Sequence, residues 1–338
     1  MKTLFKFTAL VLAMATLFSF AACSQPKEKE TTAAATTAAQ PDEIRIAALK
    51  GPTGMGMAKM IDDNPAGGRY AFTIESDPSA IAPLITTGAV DIAACPLNLA
   101  ATLYKKTGGK IKMLAVNTLG VLYILEKGQT FTTVSELKGK TIVTSGQGAT
   151  PEYVLNYILK ANGLDPAKDV NVEYKAEHSE VAALAASGEA DICMLPEPFV
   201  TTVTGKNPAL RIALDLTALW ETAARQEGKE SKLAMGCIIA AGDFADKYPA
   251  AVDTFLAQYK ASVNYVNANP AQAASLIAKQ GIIPDAALAE KAIPRSQLTF
   301  LAGSEMKAVA MQNFRVLFAA NPASIGGAIP GSDFFWGA

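Results

Sequence analysis

The chain has 338 residues, of which 18% are charged and 50% are hydrophobic, and its formal net charge at pH 7 is −1. This balance of charges provides no excess of basic residues, so the composition does not favour nucleic acid as a partner. About 295 residues follow a polar N-terminal region, and that length suits two lobes better than one hydrophobic core.

The N-terminus has the pattern of an export signal. Lys2 and Lys6 precede an uncharged apolar run over residues 7–22. The run is shorter than the roughly 20 apolar residues that a membrane-spanning helix needs, and polar residues follow it at once. The pattern therefore predicts a cleaved signal over residues 1–22.

Phe20-Ala21-Ala22-Cys23 resembles the lipobox of bacterial lipoproteins, although Phe20 stands where Leu is usual. The resemblance implies that Cys23 becomes the lipidated first residue of the mature chain. An ordinary signal cleaved nearby, with Cys23 incidental, is the alternative. Residues 24–42 carry no aromatic or large aliphatic side chain, so residues 23–42 are predicted to form a lipidated, disordered tether. No second apolar run reaches membrane-spanning length, so anchoring would depend on lipid alone.

From residue 44 onward, β-rich runs alternate with helical patterns, which predicts an α/β protein with mainly parallel sheets and helices on both faces. In the first half, strands are predicted at 44–49, 70–77, 90–96 and 111–118, with helices at 57–64, 79–88 and 97–109. The next part is predicted as strands at 121–127, 141–148, 170–176, 190–198 and 208–216, with helices at 134–140, 150–163 and 179–189. A strand after Leu233 precedes amphipathic helices, and residues 306–321 form the last predicted helix.

The two halves repeat one order of features. The segments ITTGAVDIAACPLNLA (85–100) and LAASGEADICMLPEPF (184–199) each contain a helix, a glycine, Asp-Ile, a strand and a proline. This repetition predicts two lobes of the same architecture, each a small doubly wound sheet.

Several segments resemble the periplasmic-binding-protein superfamily, in the type II branch that holds alkanesulfonate, nitrate and thiamine-precursor pyrimidine binders. They are GPTGMG (51–56), GAVDIAACPLN (88–98), SELKGKTIVTSGQGATPEYVL (135–155), SGEADICMLPEPF (187–199) and IIAAGDFADKYPAAVDTFL (238–256). The resemblance covers about residues 44–321. It implies a lobe I formed by residues 43–120 and 233–338, and a lobe II formed by residues 121–232.

In open parallel sheets, ligands bind beyond the carboxyl ends of the strands. Four strand-to-helix turns converge there in the predicted fold, and glycines and short polar side chains mark them. The candidate ligand-binding residues are Thr53, Gly54, Met55, Pro96, Asn98, Ser145, Gln147, Gly148, Ala149, Thr150 and Glu197. Each turn has a plain alternative as an ordinary turn, and Met55 could belong to the core. GPTGMG lacks the nucleotide-binding fingerprints.

The turns carry no Arg or Lys, so no bidentate clamp for an anion is visible. Backbone amides could still hold a sulfonate, and a neutral or aromatic ligand is equally compatible. Glu197 could meet a ring nitrogen or a cationic group, or could form a solvated rim or a hinge salt bridge. The candidates for aromatic stacking are Phe199, Tyr123, Tyr153 and Trp220.

An enzyme on the same fold is the less favoured reading. The single histidine, His178, is predicted far from the turns, and no Ser-His-Asp or Cys-His set is evident. Cys95, Cys193 and Cys237 lie in apolar contexts, where they are expected to be small buried hydrophobes, although one pairing remains open. No metal site and no cofactor are expected.

The sequence thus predicts an exported solute-binding lipoprotein on the outer face of the cell membrane. The resemblance implies that it captures a small ligand of the sulfonate, nitrate or pyrimidine and aromatic vitamin-precursor class between two lobes. Its partners would be an ABC permease and ATPase, and it would act as a monomer. The alternative is a ligand-sensing receptor without a permease.

Overall fold

The computed structural model describes residues 40–65 and 67–338. The predicted export signal, the lipidation of Cys23 and most of the predicted tether lie outside the described residues. Within the described part of the chain, no helix is both long enough and apolar enough to cross a membrane.

Eleven strands and thirteen α-helices are described. The strands are β1 (Ile44–Leu49), β2 (Tyr70–Glu75), β3 (Ile92–Pro96), β4 (Ile111–Leu119), β5 (Leu122–Lys127), β6 (Thr141–Ser145), β7 (Asn171–Lys175), β8 (Ile192–Pro196), β9 (Leu210–Asp215), β10 (Ala234–Ala241) and β11 (Leu298–Leu301). The helices are α1 (Pro52–Met55), α2 (Ala58–Asp63), α3 (Ile81–Thr86), α4 (Leu97–Lys106), α5 (Thr150–Ala161), α6 (His178–Ser187), α7 (Phe199–Lys206), α8 (Leu216–Gln226), α9 (Gly242–Lys247), α10 (Pro249–Ala268), α11 (Pro270–Lys279), α12 (Ala286–Ala292) and α13 (Gly303–Ala320).

The strands form two sheets, which confirms the predicted two-lobed α/β architecture. The first sheet has the order β11-β4-β10-β3-β1-β2, and the second has the order β7-β6-β8-β5-β9. In the first sheet, β1 pairs in parallel with β2 and β3, and in the second, β6 pairs in parallel with β7 and β8. Each parallel set is linked by helices, as the alternating sequence pattern requires.

Each sheet also contains antiparallel pairs that the β-α alternation did not predict, among them the edge pair β11 and β4 of the first sheet. Strand β10 lies between β3 and β4 and is antiparallel to both, and β5 lies between β8 and β9 in the same way. These are the strands that enter a sheet after the chain has passed from the other sheet. The predicted lobe boundaries at residues 120 and 232 stay a prediction, and this division of the strands supports them.

Buried apolar side chains cover both faces of each sheet. On the first sheet, one face packs against Phe255 and Tyr259 of α10, and the other packs against Phe314 of α13. On the second sheet, Trp220 lies in the core on one face and Val181 in the core on the other. Both sheets therefore need helices on both faces to remove their apolar surfaces from water.

Candidate functional site

A cavity of about 550 Å³ lies where the carboxyl ends of β1, β3, β6 and β8 face one another across the two sheets. All four turns predicted from the sequence contribute to its wall. Of the predicted residues, those that line the cavity are Thr53, Pro96, Asn98, Ala149, Thr150 and Glu197. The convergence follows from parallel pairing, because parallel strands deliver all their βα turns to the same edge of a sheet.

The other five predicted residues are not among the lining residues; they are Gly54, Met55, Ser145, Gln147 and Gly148. The Met55 side chain is fully buried in the core of the first lobe, which agrees with the alternative prediction that Met55 belongs to the core. Ser145 is buried next to the cavity, whereas Gln147 and Gly148 are exposed to solvent. Their binding roles stay a prediction that this geometry does not favour.

The structure adds lining residues that the sequence reading missed. They are Leu49, Lys50, Gly51, Pro52, Ser76, Pro78, Ser79, Leu99, Thr118, Val121, Gly146, Pro151, His178, Pro196, Pro198 and Met235. Ser76 and Ser79 follow β2 and Thr118 lies near the end of β4. The rule that ligands collect at strand ends could have found these three, because it applies to every strand of the sheet and not only to those followed by glycine.

Two long helices begin at the cavity without a side-chain cap. Pro96 precedes α4 and Ala149 precedes α5, and neither side chain has an oxygen that could accept a hydrogen bond from the first turn. Asp215 and Asp285 cap α8 and α12, whereas α10, α11 and α13 also begin without a side-chain cap. The first turn of α4 thus presents backbone N–H groups and the positive end of the helix dipole to a bound group. The first turn of α5 presents fewer donors, because Pro151 has no N–H, and it also carries the carboxylate of Glu152.

His178 lies at the cavity, so the prediction that it is far from the turns is wrong. Its Nδ1 atom is 2.5 Å from Oγ of Ser145. Ser145 pairs with Lys175 at the ends of the neighbouring strands β6 and β7, and His178 begins the helix that follows β7. The sequence separation of 33 residues concealed this proximity, because strand order in the sheet could not be derived from one chain.

Burial lowers the pKa of His178 below its usual value, and the charge of Glu177 opposes this effect. The imidazole ring also packs against Phe199, with ring centroids 5.8 Å apart. A half-buried imidazole with a lowered pKa is neutral at pH 7, and each neutral tautomer has one N–H donor and one acceptor nitrogen.

Glu197 is buried and joins the two lobes. Its Oε1 atom accepts a hydrogen bond from Nε of Arg295 at 2.5 Å and another from Oγ1 of Thr201 at 3.0 Å. Its Oε2 atom accepts from the backbone N–H of Thr201 at 3.1 Å. The carboxylate side chain is 0% exposed, so the geometry is that of a buried salt bridge and not of a solvated rim.

Of the aromatic residues that the sequence offered for stacking, Phe199 lines the cavity. Tyr123 is buried, donates to the carbonyl oxygen of Arg295 at 3.0 Å and has its pKa raised to about 12 by burial. Tyr153 is buried beside α13, and Trp220 lies in the core of the second lobe.

The cysteines show no arrangement for nucleophilic chemistry. Cys95 and Cys237 lie opposite each other on β3 and β10 with their Sγ atoms 3.9 Å apart, and both are free thiols. Burial raises the pKa of Cys193 to about 12 and also raises the pKa of Cys237. Thiols of this kind are poor nucleophiles. Among residues 40–65 and 67–338, no group of three or more His, Cys, Asp or Glu could hold a metal ion.

Comparison with known proteins agrees with this geometry. A family model described as "ABC transporter, phosphonate, periplasmic substrate-binding protein" matches residues 66–228. The Bacillus subtilis protein YtlA is 33% identical over 63 residues, and the match spans 19% of the length of each chain. The chain thus aligns with about a fifth of this curated relative.

Solved structures match over most of the chain. A crystal structure of an ABC transporter from Parabacteroides distasonis has a TM-score of 0.74 at 24% identity, covering 87% of this chain and 99% of that one. The periplasmic aliphatic sulphonate binding protein SsuA from Escherichia coli has a TM-score of 0.69 at 18% identity, covering 88% and 92%. The periplasmic nitrate-binding protein NrtA from Synechocystis PCC 6803 has a TM-score of 0.58 at 13% identity, covering 88% and 85%.

The fold and the cleft define a class: the chain has the two-lobed fold of periplasmic substrate-binding proteins of ABC transporters. The fold that the sequence predicted is confirmed.

Proposed function

We propose that the protein captures a small organic oxyanion, such as a phosphonate or sulfonate, between its lobes and delivers it to an ABC importer. The observation that carries this proposal is the wall of the cavity, where the uncapped first turns of α4 and α5 meet the imidazole of His178. Helix N-termini of this kind stabilise anions through backbone donors and the helix dipole. The family description and the names of the structural neighbours support the same ligand chemistry.

His178 would act as a hydrogen-bond donor to the ligand. If the Ser145 hydroxyl donates to Nδ1, the imidazole carries its proton on Nε2, and this N–H is then available to an oxygen of the ligand. The lowered pKa of His178 keeps the ring neutral in the empty protein. An arriving anion would therefore meet a neutral donor that can take up a second proton.

The body of the ligand should be organic. The cavity of about 550 Å³ is within the range of sites for small organic molecules, ~300–1,000 Å³, and a nitrate ion would fill little of it. Its apolar wall is formed by Leu49, Leu99, Val121, Phe199 and Met235. An alkyl or aryl group would bury apolar surface there while the acid group faces the helix N-termini.

Delivery requires partners outside the cleft. We infer that the protein serves an ABC permease and ATPase, because closure around the ligand would signal the loaded form to the permease. In this role it would act as a monomer and would catalyse no reaction.

We also propose that Cys23 carries a lipid that holds the protein on the outer face of the cell membrane. The Cys23→Ser variant should then leave the membrane fraction, and its retention there would contradict the lipid anchor.

A thermal-shift panel tests the ligand class. It contains alkyl- and arylphosphonates, the corresponding sulfonates, nitrate and pyrimidine vitamin precursors, each acid paired with an uncharged alcohol of the same carbon skeleton. A ligand present at a hundred times its dissociation constant should stabilise the protein by about 2.7 kcal/mol. We expect organic acids to stabilise it and their alcohols to have no effect. Stabilisation by pyrimidines alone, or by none of the compounds, would contradict the proposal.

A further inference from the structure

We propose that Arg295 determines specificity by occupying Glu197, so that the cleft accepts organic acids without an amino group and rejects aminated ones. The inference rests on the proposed function, since it concerns the ligand of the same cleft. It differs from the possibility, left open by the sequence, that Glu197 meets a cationic group of the ligand.

An ammonium group in a cleft needs a carboxylate partner, because an unpaired charge removed from water is costly. Among the described residues that line the cavity, Glu197 carries the only carboxylate, and Lys50 and His178 are the other titratable side chains. The fate of an aminated ligand therefore depends on whether Glu197 is available.

Both oxygens of Glu197 already accept hydrogen bonds, and the charge of its carboxylate is balanced by Arg295. Oε1 receives Arg295 Nε and Thr201 Oγ1, and Oε2 receives the backbone N–H of Thr201. A second guanidinium nitrogen of Arg295, Nη2, donates to Oγ1 of Thr201. The three side chains therefore form one hydrogen-bonded network. An ammonium group that reached this carboxylate would meet a charge that Arg295 already balances, unless it displaced the guanidinium.

The position of Arg295 makes that displacement difficult. It lies in the 3-10 turn Ile293–Arg295 that follows α12 of the first lobe, and its carbonyl oxygen accepts the hydroxyl of Tyr123. Its side chain reaches Glu197 from a groove on the far side, lined by residues such as Asp285 and Lys291, and not from the cavity. Arg295 thus neutralises Glu197 without offering its own charge to the ligand.

Removal of the guanidinium should expose the carboxylate to the ligand. Lysine would not be a neutral replacement, since it remains charged, whereas methionine keeps an unbranched apolar chain without charge. Arg295→Met is therefore the variant that frees Glu197, and Glu197→Gln in the same chain removes the new cation site again.

The chain offers a matched control. Arg211 and Glu126 form an equivalent ion pair in the second lobe: the arginine side chain is 31% exposed and the glutamate 1%, against 35% and 0% for Arg295 and Glu197. Neither Arg211 nor Glu126 is among the residues that line the cavity. Arg211→Met therefore breaks a similar buried pair without freeing a carboxylate at the ligand.

Isothermal titration of the full-length protein with matched acids tests the inference. The pairs are ethanesulfonate against 2-aminoethanesulfonate and ethylphosphonate against 2-aminoethylphosphonate. In the wild type, we expect the acid without nitrogen to bind at least about tenfold more tightly, which corresponds to one unpaired or displaced charge contact. In Arg295→Met, the ratio should shift about tenfold towards the aminated acid, and it should return in the double variant with Glu197→Gln.

Arg211→Met should leave the ratio of the wild type unchanged. Equal or tighter binding of the aminated acids by the wild type would overturn the inference, and this comparison needs no variant to fold. An unchanged ratio in Arg295→Met would overturn it as well. If none of the acids binds, the proposed function itself fails, and this outcome is distinguishable from a preference for the wrong member of a pair.

Discussion

The imidazole of His178 lies among groups that control its charge. Burial lowers the pKa of the ring, and Ser145 is within hydrogen-bond distance of Nδ1. His178 is also the first residue of helix α6, and the positive end of the helix dipole disfavours a cation there. A bound anion would reverse this balance, since its charge stabilises the imidazolium. The proton affinity of His178 and the affinity for an acid ligand are therefore linked.

This linkage predicts that acidification strengthens ligand binding. The free protein has a lowered pKa and the complex a higher one, so the ring takes up a proton on binding, and affinity rises as the pH falls through the interval between the two values. Each unit by which binding raises the pKa of His178 gives at most about a tenfold gain in affinity. Titration calorimetry of a sulfonate between pH 8 and pH 5 measures the effect, because the sulfonate itself stays fully ionised.

His178→Gln is the control for this experiment. Glutamine can still form a hydrogen bond with Ser145 but does not titrate. The affinity of this variant for the sulfonate should therefore be independent of pH over the same range. An affinity of the wild type that is flat, or that falls on acidification, would show that His178 does not face the acid group.

Helix α1 is an element whose position depends on one glycine. A Cβ atom at Gly54 would lie 2.1 Å from the carbonyl oxygen of Leu49, the last residue of β1. The Leu49 oxygen belongs to the backbone, and the backbone of Gly54 fixes the position of the Cβ atom, so neither can rotate away. Gly54 thus lets α1 pack directly on the end of the strand, next to Thr53, which lines the cavity. Its predicted contact with the ligand stays a prediction.

Gly54→Ala should therefore destabilise the protein. Forced overpacking of this kind costs about 1–3 kcal/mol, and here the displaced atom belongs to strand β1 of the first sheet. Gly205→Ala is the matched control: Gly205 lies in α7, a Cβ atom there meets nothing within 4 Å, and alanine should stabilise the helix by about 0.5–1 kcal/mol. Chemical denaturation of both variants measures the difference, and equal stability of the two would contradict the close approach of α1 and β1.

At the scale of elements, the sequence predicts what local chemistry determines. The strand, glycine and helix order identifies the turns after β1, β3, β6 and β8, because turn residues and helix starts depend on neighbours in the chain. It does not predict that β5 and β10 enter their sheets antiparallel, since the same strand pattern fits either direction. The partners of Ser145 and Glu197 were likewise missed, because both come from elements brought near by sheet order or by the other lobe.

Across the whole molecule, a few polar contacts join the two lobes around the cavity. Arg295 pairs with Glu197 and accepts the hydroxyl of Tyr123 through its carbonyl oxygen. At a separate place, Nδ2 of Asn321 donates to Oη of Tyr153 at 2.9 Å, where α5 packs against α13. Contacts of this kind stabilise the arrangement in which the lobes meet, and a ligand that binds between the lobes gains from them.

Tyr153→Phe should therefore weaken ligand binding without touching the ligand. The ring is retained in the core of the first lobe, while the bonds to Asn321 and to the carbonyl oxygen of Gly148 are lost. A hydrogen bond contributes about 1 kcal/mol, so affinity should fall about fivefold, and small-angle scattering of the empty variant should give a larger radius of gyration. Tyr104→Phe, which loses a tyrosine hydrogen bond to Asp333 within the first lobe, should change neither quantity. Equal behaviour of the two variants would mean that the Tyr153 contact persists in the open form and that closure depends on the Arg295 network alone.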